Sequence, residues 1–200
     1  MTTLILPGLG GSGPGHWQRH WLDDHPDAYL VEQDDWDRPH LDAWVHHVVA
    51  TASFAPGALI VAHSLAGALV AHLALRHPRL DIAGALIVAP ADVDDCASTS
   101  VPIAGFGPMP LVRLPFPSIV VASRDDPFAR FERSRTFADA WGARLVDLGD
   151  SGHINVASGF GRWPEGYRLA AELAGRRTAR PLPLPPLRHG RPALAGRLPA

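Results

Sequence analysis

The strongest constraint in this 200-residue chain is a series of short, uninterrupted apolar runs. Leu4 to Leu6 ends at Pro7-Gly8, and Tyr29 to Val31 is weaker. Ala58 to Ala62, Gly84 to Ala89 and Ser118 to Ala122 are clean, and Arg144 to Leu148 closes the series. Short apolar runs without alternation suit strands covered on both faces, the pattern of a parallel sheet. Helical patterns lie between them. Leu41, Trp44, Val45, Val48 and Val49 repeat at helical period within 41–54. Leu65 to Arg76 is rich in Ala and Leu and stops before Pro78, and Phe131 to Trp141 and Gly166 to Arg176 follow. Strands alternating with helices predict a doubly wound α/β fold: a mostly parallel sheet of about six strands, with helices on both faces.

Two segments break the alternation. Asp92 to Phe116 holds Pro102, Gly105, Gly107, Pro108, Pro110 and Pro115, which resist a long helix. A loop with short turns is expected there, where substrate pockets are often covered. Residues 176–200 contain Pro181, Pro183, Pro185, Pro186, Pro192 and Pro199 among several Arg. The expectation is a disordered or partly polyproline tail, solvated or serving as a ligand for a proline-recognition module. The chain thus divides into a domain over 1–175 and a tail over 176–200.

Composition narrows the function. A net charge of −2 gives no reason to expect a nucleic-acid or anionic-membrane partner. No basic segment precedes Leu4 to Leu6, and no stretch approaches the ~18–20 apolar residues of a membrane span, so a cytoplasmic location is expected. Cys96 is the single cysteine, which rules out an intrachain disulfide. Its neighbours Asp94 and Asp95 disfavour a thiolate, so a structural role is expected. His16, His20 and His25, like His46-His47, read as surface or helix residues. None has the spacing of a metal site with carboxylate or Cys partners, and no metal is expected.

Four motifs carry chemistry, each after an apolar run. Ile60-Val61-Ala62-His63-Ser64-Leu65-Ala66-Gly67 leads a buried strand through a Ser directly into a helix. This is the setting of a nucleophile elbow, where strand and helix backbones come close and small residues flank the Ser two positions away. The usual glycines are replaced by Ala62 and Ala66. The helix N-terminus offers a positive end, with the Leu65 N–H as first oxyanion donor. The competing reading makes Ser64 a helix cap. Leu6 to Gly13 follows the first run and holds Gly8, Gly10, Gly11 and Gly13. Such a loop supplies the second oxyanion donor: Leu9 N–H is the candidate, with Gly10 next. Gly8-x-Gly10-x-x-Gly13 also fits a dinucleotide spacing. However, Pro14-Gly15 follow, and the acid expected about 20 residues on is ambiguous between Glu32 and Asp34. No cofactor is expected.

Ser123-Arg124-Asp125-Asp126-Pro127 places two acids after a buried strand, where an orienting acid belongs or where a helix is capped. The residues alone leave Asp125 and Asp126 as alternatives. Gly152-His153-Ile154-Asn155 places a loop His after the last strand, where a general base belongs. His63 is expected to point away from Ser64. The order Ser, Asp, His predicts that His153 takes the Ser64 proton while Ser64 attacks a carbonyl and the acid holds the imidazole.

The chain resembles the small serine hydrolases grouped with retinoblastoma-binding protein 9 and the bacterial YdeN-type proteins. The resemblance rests on Pro7-Gly8 with Ser12-Gly13 and His16-Trp17-Gln18, and on Gln33 to Pro39. It continues through Ala62-His63-Ser64-Leu65, Ser123 to Phe128 and Gly152 to Asn155, and Ser158 to Gly166 matches the bacterial members especially well. It implies a reduced α/β-hydrolase fold over 1–175 without a large lid, and esterase-type activity. In the family pattern the acid directly precedes Pro, which selects Asp126. Ala66 departs from the family's usual Gly. Retinoblastoma-protein binding does not carry over: it needs Leu-x-Cys-x-Glu, and Cys96 has Asp94 before it and Ser98 after it.

Six tryptophans are many for this length. His16, Trp17 and Trp163, and less directly Trp36, are expected beside Ser64 as substrate-binding residues, with core packing as the alternative. The expected function is hydrolysis of small carboxylic esters or related acyl compounds through an acyl-enzyme, the partner being a small-molecule acyl substrate. The other readings are an interaction protein on a hydrolase scaffold, with little or no turnover, and a cofactor-free haloperoxidase-like activity on the same residues. Whether a protein partner exists is not decided by the sequence.

Overall fold

Each apolar run forms a strand. β1 (Thr3–Leu6), β2 (Ala28–Leu30), β3 (Ala58–His63), β4 (Ile82–Val88), β5 (Ser118–Ala122) and β6 (Arg144–Asp147) make one sheet in the computed structural model, which describes residues 1–95 and 103–178. The order is β2-β1-β3-β4-β5-β6, and every neighbouring pair is parallel. β3 and β4 are buried at every position, whereas the edge strands β2 and β6 are half-exposed. That contrast explains why their runs are the less apolar ones.

Among the described residues, five helices cover the sheet: α1 (Trp17–Asp24), α2 (Leu41–Ser53), α3 (Ala66–Arg76), α4 (Phe131–Trp141) and α5 (Pro164–Thr178). Side chains alternate across a strand, so each strand feeds two cores. Leu4, Leu6, Ile60 and Val120 pack with Trp44, Leu69 and Phe137 of α2, α3 and α4. Ile5, Val61, Leu86 and Val121 pack on the other face with Trp17 and Trp21 of α1 and Leu173 of α5. α1 spans only eight residues, and its single apolar stripe (Trp17, Trp21 and Leu22) is too short to announce a helix in the sequence. α5 runs to Thr178, so the expected boundary at 175 falls within a helix. The rest of the tail, residues 179–200, and Cys96 lie outside the described residues, as does 96–102 of the proline-rich loop. The described part of that loop holds one short 3-10 turn (Ala104–Phe106) and is fastened to α4 by a bond from Trp141 Nε1 to the Pro110 carbonyl, 2.8 Å. Among the described residues, no helix is long and apolar enough to cross a membrane.

The winding direction reverses between β1 and β3. Connections leaving such a pair diverge, which opens a crevice at the carboxyl ends of the strands. Gln18, fully buried, stitches the floor of that crevice. Its Nε2 donates to the Leu6 and Val61 carbonyls, both at 3.1 Å, and its Oε1 accepts from Ser12 Oγ at 2.5 Å.

Candidate active site

Ser64 lies between β3 and α3 with φ +58°, a left-handed conformation that is uncommon outside glycine. Its N–H donates to the Val88 carbonyl at 3.0 Å, and its carbonyl accepts from Gly67 N–H at 2.8 Å. Ala62 and Ala66 are fully buried, so the alanines are accommodated. The tight contact falls one residue later: a Cβ on Gly67 would sit 2.7 Å from Pro90 Cβ. Ser64 does not cap α3. The capping position is Leu65, with no side-chain cap, and the Ser64 hydroxyl is engaged elsewhere.

That partner is His153, whose Nε2 is 2.8 Å from Ser64 Oγ. On the other side of the ring, Nδ1 is 2.9 and 3.0 Å from the two oxygens of Asp126. A carboxylate accepts, so Nδ1 carries the proton and Nε2 is free to receive one from Ser64. Asp126 Oδ1 also accepts from the Phe128 N–H at 2.9 Å, and its side chain is 3% exposed. Asp125 faces another way. Its Oδ1 accepts from Ser123 Oγ at 2.6 Å and from Gly152 N–H at 2.7 Å, and those bonds hold its carboxyl below the usual range. The two adjacent acids therefore divide the work: Asp126 meets the imidazole, while Asp125 holds the loop that carries it.

The loop after β1 lies against the elbow at Gly8. A Cβ there would stand 2.8 Å from Ser64 Cβ, 3.0 Å from the His63 carbonyl oxygen and 3.1 Å from Leu65 N, so no larger residue fits. This approach brings Leu9 and Leu65 to one cleft. Neither backbone N–H donates a hydrogen bond among the described residues. Gly10 N–H is committed to the Trp36 carbonyl at 2.8 Å, which removes it as an alternative donor.

Residues 3–172 match the sequence profile of a family described as serine hydrolase. The chain belongs to the serine hydrolase family. A YdeN-like hydrolase from Pectobacterium atrosepticum is 30% identical, with TM-score 0.78 over 88% of this chain and 91% of that one. The ydeN gene product of Bacillus subtilis is 20% identical, with TM-score 0.67 over 87% and 98%. Est1E from Butyrivibrio proteoclasticus shares the fold at 14% identity, with TM-score 0.66 over 90% and 88%. No curated protein sequence matches the chain.

The cleft of this serine hydrolase measures about 240 Å³. His16 lines it and is 6% exposed, so it is not the surface residue its spacing suggests. His63 also stays at the site. Its Nε2 donates to the His153 carbonyl at 3.0 Å, and its ring stands 4.8 Å from that of His153 and 4.9 Å from that of His16. The strand direction alone hides this, because the His153 loop folds back over the end of β3.

Trp17 and Trp163 do not line the cleft. They meet edge to face at 5.5 Å in the core between α1, α5 and the sheet, where burial of two large rings outweighs any substrate contact. Trp17 acts from behind: Nε1 donates to the Ile154 carbonyl at 2.8 Å, and Ile154 holds φ +48°, a strained conformation for a β-branched residue. Trp36 packs against Gly11 and stands 5.5 Å from the Trp44 ring. Two further residues reach the site without a sequence signal for a role there: Phe128, whose ring lies 4.4 Å from that of His153, and Asn155, which lines the cleft. The pattern His16-x-Gln18, a capping residue ahead of a buried amide, was the available signal for the polar side.

Both extra histidines are held neutral. Burial, then His153 and Arg19, lowers the His16 pKa to about 4. Burial, then His153 and His16, lowers His63 well below the usual imidazole range, against the opposing effect of its bond to the His153 carbonyl. The unfolded chain takes up these protons near pH 6.5, the folded chain only at lower pH. The unfolded state thus binds more protons in between, and stability rises with pH through that window. Between pH 7 and 5, above the range where most carboxylates protonate, His16 alone is expected to remove about 2 kcal/mol of stability, with His63 acting in the same direction. Urea unfolding at stepped pH measures it. A flat profile over that interval would show that the two rings are not buried neutral.

Proposed function

We propose that Ser64 is the nucleophile, His153 the general base and Asp126 the orienting acid of an enzyme that hydrolyses small carboxylic esters or related acyl compounds. The observation that carries this reading is the unbroken hydrogen-bonded series from Asp126 through His153 to Ser64. His153 Nε2 accepts the Ser64 proton as Oγ bonds to the substrate carbonyl carbon. The negative charge that forms on the carbonyl oxygen is met by the Leu9 and Leu65 N–H groups, left uncommitted for it. Collapse breaks the bond to the leaving oxygen, which takes the proton from His153, and an acyl-Ser64 ester remains. Water then attacks the acyl carbon while giving one proton to His153; collapse breaks the bond to Ser64 Oγ, which takes that proton back, and the acid leaves. The route uses no cofactor. Fluorophosphonate labelling of the wild type tests it. Strong labelling that disappears in folded Ser64→Ala and His153→Ala variants is expected. A folded wild type that does not label would overturn the proposal and leave an interaction protein on a hydrolase scaffold.

A further inference from the structure

Two side chains in the cleft are each held by one end and free at the other. His16 caps α1: its Nδ1 accepts the Gln18 N–H at 3.2 Å. A nitrogen that accepts carries no hydrogen, so the neutral ring has its proton on Nε2. Asn155 caps the 3-10 turn Val156–Ser158, with Oδ1 accepting from Ser158 N–H at 3.1 Å. A backbone N–H can only donate, which fixes the amide orientation and leaves Nδ2 on the other side. Neither His16 Nε2 nor Asn155 Nδ2 makes a hydrogen bond among the described residues, and both residues line the cleft.

They share one wall. The bond from Trp17 Nε1 to the Ile154 carbonyl ties the residue after His16 to the residue before Asn155. Ala91, Ile103 and Phe128 give the cleft an apolar wall, with the Asp92 N–H bonded to the Phe128 carbonyl at 2.9 Å. Among the described lining residues there is no Asp, Glu or Arg. Arg19, whose charge reaches His16, is turned to the Ser12 carbonyl. A charged substrate group would enter this cleft without a counter-charge, at a desolvation cost.

We infer that His16 Nε2–H and Asn155 Nδ2–H form a neutral donor subsite that binds an uncharged oxygen acceptor, such as an ether or hydroxyl oxygen, in the leaving-group half of the substrate. The inference rests on the ester-hydrolase reading above. It assigns the leaving-group half because Asn155 lies two residues beyond His153, on the loop whose imidazole must hand its proton to the leaving oxygen. The apolar wall then receives the acyl group.

Two isosteric esters test it: 2-methoxyethyl acetate and n-butyl acetate, which differ by one ether oxygen. The measured quantity is the ratio of their kcat/KM values, divided by the ratio of their hydroxide-catalysed rates. The wild type is expected to favour the ether ester by about tenfold, whereas a merely apolar cleft would favour the butyl ester. Asn155→Asp retains its capping oxygen and removes the donor, while His16→Ser puts a capping oxygen in place of Nδ1 on a side chain too short to reach where Nε2–H stood; each is expected to bring the ratio towards one. A wild-type ratio of one or less, or a preference that survives both substitutions, overturns the subsite. Fluorophosphonate labelling runs alongside. A wild type that labels but shows no ether preference, or turns over neither ester, loses the subsite and keeps the hydrolase reading. One that neither labels nor turns over loses both.

Discussion

Ser64→Ala and His153→Ala are each expected to lower kcat for a short p-nitrophenyl ester by about 10⁴-fold or more, and the double variant is expected to be little worse than either. The reason is the 2.8 Å contact between Ser64 Oγ and His153 Nε2. An unassisted hydroxyl is a weak nucleophile, and an imidazole without the hydroxyl has nothing to activate, so removing one makes the other useless. The activity that remains would come from the Leu9 and Leu65 N–H groups and from binding in the cleft. Folding is checked by the thermal midpoint of each variant, since Ala retains the Cβ that the left-handed backbone at Ser64 already accommodates. Losses that multiply in the double variant would mean that the two side chains act independently, and the proposed mechanism would fail.

Asp126→Asn is expected to lower kcat by about 10⁴-fold, and Asp125→Asn by tenfold or less. The two acids are adjacent in sequence and meet different partners. In Asp126→Asn, the Phe128 N–H, which now donates to Oδ1, claims the amide oxygen. The NH₂ group is then left for His153 Nδ1, which must become an acceptor. The proton moves to Nε2, and the ring can no longer take the Ser64 proton. Asp125→Asn keeps an oxygen where Ser123 Oγ and Gly152 N–H donate. It loses only the charge that strengthens those bonds, so the effect falls mainly on stability and is read as a lowered thermal midpoint. Steady-state kinetics and thermal melts on the pair give the comparison. A larger kcat loss in Asp125→Asn would transfer the orienting role to Asp125.

Much of the fold was legible because burial on both faces of a parallel sheet leaves a plain mark on the sequence. β3, β4 and β5 are apolar at nearly every position, α2 carries its apolar residues at helical period, and α3 is a nearly continuous apolar run, rich in Ala and Leu, that ends before Pro78. α1 was not legible. It is short and mostly polar, and what it buries is Trp17, Gln18 and Trp21, so its stability comes from docking and not from its own pattern. The candidate site was legible as three residues that each follow a strand. The opposite orientations of Asp125 and Asp126 were not, because both satisfy the same local rule.

Local sequence therefore settled which segments are strands, where the backbone must turn sharply, and which side chains stand at strand ends. These are consequences of short-range sterics and of burial. It could not settle which of those side chains meet. Ser64 and His153 are 89 residues apart, and Trp17 and Ile154 are 137 apart. Their contacts depend on how each loop returns across the sheet, a path fixed by packing among all the elements. The same long-range packing turned His16 and His63 into buried neutral rings beside His153 and drew Trp17 and Trp163 into the core behind the site.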